Sequence, residues 1–294
     1  MAHFLRNHNL TVRIDLPKEN YTFSRFDWTG KIAEVHYQNI QVSASECKDA
    51  KNENDLGKGF YNEFGIDTPL GFEETPLGGW FHKIGIGLLK KEDSVYQPGK
   101  KYEIKPAVFE YFPTPNTLRI RCTSAAHNGY SYVLEKRIEL HENGFRIHYT
   151  LQNTGEKEIH TDEYVHNFMA IAKEPIGVHY SLQFPFDLQP TAFIETVNPE
   201  QKVILGNNSI QFNDSPTEPF FFSNLSGDNL VPAQWELHNV HSKMSLREKG
   251  NFKTTKINIW GTEHVVSPEL FFEIALAVKT SVTWTREFSV NRIS

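Results

Sequence analysis

Between Gly144 and Asn153 the chain alternates strictly. Phe145, Ile147, Tyr149 and Leu151 take one parity, and Arg146, His148, Thr150 and Gln152 take the other. Successive side chains of a strand point to opposite faces, so this run reads as a strand with one face buried and one wet. The signal recurs. Leu10, Val12, Ile14 and Leu16 alternate with Thr11, Arg13 and Asp15. Short extended runs follow over 102–111, 117–124, 131–140, 180–186, 220–224, 234–239, 253–260, 269–278 and 282–290. Few stretches hold a helical period beyond three turns. Many short strands with regular turn signals predict an all-β chain, a sandwich or barrel of antiparallel sheets. The polar segment 47–58 and the Pro-, Gly- and Glu-rich segment 69–79 read as surface loops.

With 294 residues, no internal repeat and no linker-like stretch, residues 1–294 are expected to form a single domain. The net charge of −6 lacks the basic footprint of a nucleic-acid or anionic-membrane binder. No apolar run approaches membrane-spanning length, and residues 1–8 lack a signal-peptide core, so a cytoplasmic location is expected. Two cysteines make neither a disulfide framework nor a thiolate metal site, which fits a reducing compartment. Aromatic residues are abundant at 13%, a composition that suits pleated sheets and sugar-binding surfaces alike.

The segment 161–171 concentrates the chemistry. Asp162, Glu163, His166 and Asn167 fall within six residues and run into an apolar tail. The turn Thr154–Lys157 is expected to join it to the preceding strand as a hairpin. An imidazole near its ordinary pKa of about 6.5 suits proton transfer; the plain alternative for His166 is a strand histidine bonded to a carbonyl. Glu163 is expected to orient His166 or bind a hydroxyl. Glu63, set among Phe60, Tyr61 and Phe64, is a candidate ligand for sugar hydroxyls, and Arg25 a partner for that carboxylate or for an acidic sugar. Glu269 follows Pro268 and opens an apolar run, with Glu273 as the competing carboxylate. Trp28 and Trp80 are stacking candidates or core. Arg286 is a candidate structural ion-pair partner. His160, Asp162 and His166 share a parity, as a metal triad would, but no matching ligand pair stands elsewhere, so no metal is expected. Gly85-Ile86-Gly87 lacks the context of a phosphate loop.

Four stretches together resemble the galactose mutarotase-like superfamily, the aldose 1-epimerase relatives. They are Asp27-Trp28-Thr29-Gly30; 79–87 around Lys83; 149–155 with Tyr164-Val165-His166-Asn167-Phe168; and Ser267-Pro268-Glu269 with 284–288. The resemblance covers most of the chain and implies a large antiparallel β super-sandwich acting on a small-molecule carbohydrate without a cofactor, as monomer or homodimer. In that family a histidine protonates the sugar ring oxygen and a carboxylate takes the anomeric proton. Motif position assigns these roles to His166 and Glu269. It makes Lys83 a basic substrate-binding residue, with Arg25, Glu63, Glu163 and Asn167 as further substrate contacts. The family's second histidine has no counterpart; His82 lies one residue before Lys83. Two alternatives stay open: a carbohydrate-binding protein without catalysis, and a polysaccharide lyase or hydrolase on a related sandwich.

Overall fold

The computed structural model describes residues 2–48 and 53–293, so part of the 47–58 loop lies outside it. Among the described residues the regular structure is strand, apart from three 3-10 turns of three residues each. No helix among them is long and apolar enough to cross a membrane.

Two large antiparallel sheets dominate. The first has ten strands. It runs in space from Val203–Leu205 through Ser209–Phe212, Tyr180–Gln183, Val231–Asn239, Met244–Thr254, Ser281–Arg292, Gly144–Asn153, Tyr132–His141 and Thr117–Thr123 to Val108–Pro113. The second has seven. It runs from His3–Arg6 through Leu10–Asp15, Lys31–Tyr37, Phe60–Phe64 and Ile159–Asn167 to Phe272–Leu276, with Ile40–Gln41 beside Lys31–Tyr37. The alternating residues of Gly144–Asn153 bury as their parity demands. Phe145 and Phe288 of the ten-stranded sheet meet Phe60 of the other sheet at ring separations of 5.5 and 5.0 Å. Each such side chain withdrawn from water contributes about 1.5–3 kcal/mol. The opposite face of the seven-stranded sheet is covered too. Ala33, Tyr61 and Phe168 pack there with Phe26, Phe81 and Ile86, beneath a small sheet of Trp80–Lys83, Gly87–Lys90 and Ile104–Pro106. A fourth sheet, Thr196–Val197, Phe220–Phe222, Ile257–Thr262 and Val265–Leu270, leans on the end of Ile159–Asn167.

Two local expectations differ from the structure. Thr154–Lys157 is not a hairpin turn: Gly144–Asn153 belongs to the ten-stranded sheet and Ile159–Asn167 to the seven-stranded one. Asn153 anchors this crossover, accepting from the Gly155 N–H (3.0 Å) and donating to the carbonyls of Lys157 (2.8 Å) and Leu276 (3.2 Å). The run 253–260 is two strand ends around a bend, because Met244–Thr254 stops where Ile257–Thr262 begins. Trp28 is core, and Trp80 lies beneath the Lys105 ammonium (3.8 Å).

Candidate active site

Strand Ile159–Asn167 pairs with Phe272–Leu276 over its first half and with Phe60–Phe64 over its second. Its far half therefore has one edge free of Phe272–Leu276, and Val265–Leu270 approaches there. A Met169–Val266 bridge and a hydrogen bond from Asn167 Nδ2 to the Pro268 carbonyl (2.7 Å) tie the two together. This seam opens into a cavity of about 640 Å³. Tyr164 and His166 project into it from one strand, Glu269 from the second, and Asn258 and Trp260 from Ile257–Thr262, with Arg25, Lys256 and Phe271 completing the inner wall.

His166 and Glu269 thus share one wall, but they touch rather than face each other across a gap. His166 Nε2 lies 3.3 Å from Glu269 Oε1, and both side chains are nearly buried. The Ser267 hydroxyl holds Nδ1 at 2.7 Å. The imidazole stacks on Phe168, with centroids 4.1 Å apart, and meets Trp260 edge-on at 5.6 Å. Burial, and then the charge of Arg25, keep His166 well below its ordinary pKa. Burial, reinforced by the charge of Glu63, pushes Glu269 up to about 8 against the pull of Arg25, Lys256 and Asn258. Near neutral pH the labile proton therefore rests on the carboxyl, and the imidazole is neutral.

The other expected contacts are engaged within the protein. Arg25 is on the wall but engaged: its Nε donates to Glu63 (2.9 Å), and it pairs with Glu46 at 3.2 Å. Glu63 has no access to the cavity. It is fully buried, accepting from Arg25, from Lys83 Nζ (3.1 Å) and from the Tyr164 hydroxyl (2.7 Å). Burial alone would raise its carboxyl, yet Lys83, Arg25 and Tyr164 hold it below the usual range. Lys83 is equally buried, spent on Glu63 and the Gly65 carbonyl (3.2 Å). Both are framework, not substrate contacts.

Glu163 and Asn167 have the opposite parity to His166 and point between the two large sheets. There a polar chain crosses the core. Lys136 pairs with Asp27 (3.2 Å) and donates to Asn62, which donates to Glu163. Glu163 binds Arg286 (2.7 Å), Arg286 binds Glu248 (2.6 Å), and Glu248 accepts from Asn167 (2.9 Å). Glu163 therefore does not orient His166; Ser267 does. The metal reading also dissolves, since His160 is exposed beside Glu158 and Asp162 pairs with Lys256. Among the described residues no cluster of three or more His, Cys, Asp or Glu is placed to hold an ion. The lining also carries Glu273, the competing carboxylate, and Phe221, Asn224 and Asp228, which no motif marks.

The two packed antiparallel sheets have counterparts among solved structures. The chain has the galactose mutarotase-like fold. It superposes on a putative aldose 1-epimerase from Escherichia coli K12 with a TM-score of 0.63 at 10% identity, covering 100% of this chain and 99% of that one. A galactose mutarotase-like protein from Lactobacillus casei gives 0.59 at 11%, covering 99% and 100%. Another from Clostridium acetobutylicum gives 0.56 at 9%, covering 99% and 95%. No family model matches the sequence, and no curated protein matches it at a significant level.

Proposed function

We propose that this fold carries aldose 1-epimerase-like chemistry in the cleft at His166 and Glu269, interconverting the anomers of a sugar. The observation that carries the reading is the 3.3 Å contact of an imidazole and a carboxyl on the wall of a sugar-sized cavity. The anomeric hydroxyl and the ring oxygen of a cyclic sugar hang on one carbon, so an adjacent acid and base serve both. With the proton resting on Glu269, the carboxyl protonates the ring oxygen while His166 Nε2 takes the hydroxyl proton. The carbon–ring-oxygen bond breaks and the aldehyde forms. The C1–C2 bond rotates, and reclosure on the other face returns both protons. This starts with the roles of His166 and Glu269 exchanged relative to the family assignment. The imidazolium–carboxylate state reached halfway is that assignment.

The lining supports an uncharged sugar. Arg25 is held by Glu46 and Glu63, and Lys256 by Asp67 (2.9 Å) and Asp162 (3.4 Å), so neither cation is spare for a phosphate or a uronate. Trp260, half-buried on the wall, supplies an apolar surface for a sugar ring, while Phe271 is already covered by Tyr164 and Lys256. The wall draws on residues from Arg25 to Glu273, which supports the chain acting as one domain. Two unpaired cysteines, one exposed, support a reducing, cytoplasmic setting.

The test is exchange between anomer resonances by NMR for a panel of neutral, phosphorylated and acidic sugars. Wild type should accelerate exchange of a neutral sugar, and His166→Ala should not. Exchange no faster than buffer across the panel refutes the reading. One observation favours a second reading, sugar binding without turnover: His166 and Glu269 already satisfy each other. Calorimetric binding of a sugar whose anomers exchange no faster with the protein would establish it.

A further inference from the structure

The ten-stranded sheet ends differently at its two edges. One edge is Val203–Leu205, only three residues long. The other is Val108–Pro113, six residues in unbroken register with Thr117–Thr123. Val108, Tyr111 and Phe112 are 65%, 54% and 40% exposed. Natural sheets shield long edges with bulges, lysines or internal prolines. This edge has no bulge and no lysine; Pro113 closes it and Glu110 is its one charge.

The direction of its backbone groups follows from its flanks. The Thr114 N–H donates to the Thr117 carbonyl (2.8 Å), toward the neighbouring strand. By the two-residue period, Phe112, Glu110 and Val108 also point that way, while Phe109, Tyr111 and Pro113 point outward. The Ala107 N–H agrees, bonding outward to the Ile86 carbonyl (2.9 Å). Among the described residues, the outward groups of Phe109 and Tyr111 have no strand partner.

We propose that two copies of the chain pair through this edge as a closed dimer, antiparallel about a two-fold axis at Tyr111. Each Tyr111 N–H donates to the carbonyl of the second copy's Tyr111, and each Phe109 N–H to that of its Pro113. Opposed residues of an antiparallel pair share a face. The two Tyr111 rings meet on the inner face, beside a groove of about 470 Å³ lined by Pro17, Lys18 and Phe109. On the outer face Glu110 comes opposite the second copy's Phe112. The Arg119 guanidinium lies 4.3 Å over the Phe112 ring and 3.3 Å from Glu135, so each Glu110 shares that cation of the other copy with Glu135, besides facing Arg121 of its own sheet. Among the described residues Glu110 has no ion-pair partner of its own. A register centred on Glu110 would oppose two carboxylates instead. The dimer is independent of the sugar chemistry.

Sedimentation velocity on the full chain tests this. Wild type should populate a two-copy species at micromolar concentration. Tyr111→Lys opposes two ammonium groups and should weaken association about tenfold or more. Glu110→Arg should weaken it too, and Glu110→Arg with Arg119→Glu should restore it. These side chains are exposed, and circular dichroism confirms that each variant is folded. A wild type monomeric throughout, a larger assembly, a dimer indifferent to Tyr111→Lys, or a charge exchange that fails to restore pairing overturns the proposal.

Discussion

Replacing Glu269 by Gln isolates what the candidate acid costs the fold. Its carboxyl is nearly buried, and its pKa is raised from 4.5 to about 8, chiefly by desolvation. A carboxyl with a folded pKa above its unfolded value leaves stability intact below the unfolded pKa. Stability is then lost as pH rises toward the folded one. The neighbouring imidazole stays neutral and gives the ionised form no counter-charge. At about 1.4 kcal/mol per unit, the loss reaches about 3 kcal/mol at pH 7 and about 5 kcal/mol above pH 8. Glutamine keeps the shape and does not titrate. The variant should therefore match wild type near pH 4.5 and exceed it by about 3 kcal/mol at pH 7, about 6 °C in melting temperature. Anomer exchange should be lost in the same variant, the stability–activity opposition expected of a catalytic group. Urea unfolding of both proteins from about pH 5 to about pH 8 measures the difference, and other titrating groups cancel. A difference that is flat with pH, or that shrinks as pH rises, refutes the assigned proton position.

Other outcomes follow from the same geometry. Glu163→Gln leaves Arg286 short of its counter-charge in the core and should cost about 3–5 kcal/mol in urea unfolding. Arg146→Ala, at the half-exposed Arg146–Glu287 pair, should cost less than about 1 kcal/mol. Gly85 sits at φ +81° with Asp27 Oδ1 2.2 Å from where a Cβ would lie, so Gly85→Ala should lower stability by about 2 kcal/mol or more. Ser267→Ala removes the hydroxyl on His166 Nδ1. It should cost about 1 kcal/mol in stability yet slow anomer exchange about tenfold and move its pH profile, because the tautomer is no longer fixed.

The sequence by itself determined the class of structure. Alternation at Phe145, Ile147, Tyr149 and Leu151 admits one buried face, and the same period repeated along the chain leaves little but antiparallel sheet. The resemblance of 164–168 and 267–269 to one superfamily picked out His166 and Glu269, which the fold brings into contact over a separation of 103 residues. Tertiary structure alone decided the rest. Lys83 read as a site residue by motif position, and Glu63, Glu163 and Asn167 because polar groups normally seek water, but a strand's parity does not say what covers each face. Where the seven-stranded sheet is covered on both faces, Glu63, Glu163 and Asn167 are buried at either parity: Glu63 pairs with Arg25 and Lys83, and Glu163 and Asn167 bond to Arg286 and Glu248 of the ten-stranded sheet. The cavity at His166 opens where one strand's edge is half free and a fourth sheet leans in. Such a seam depends on which distant strands become neighbours, and no local pattern encodes that.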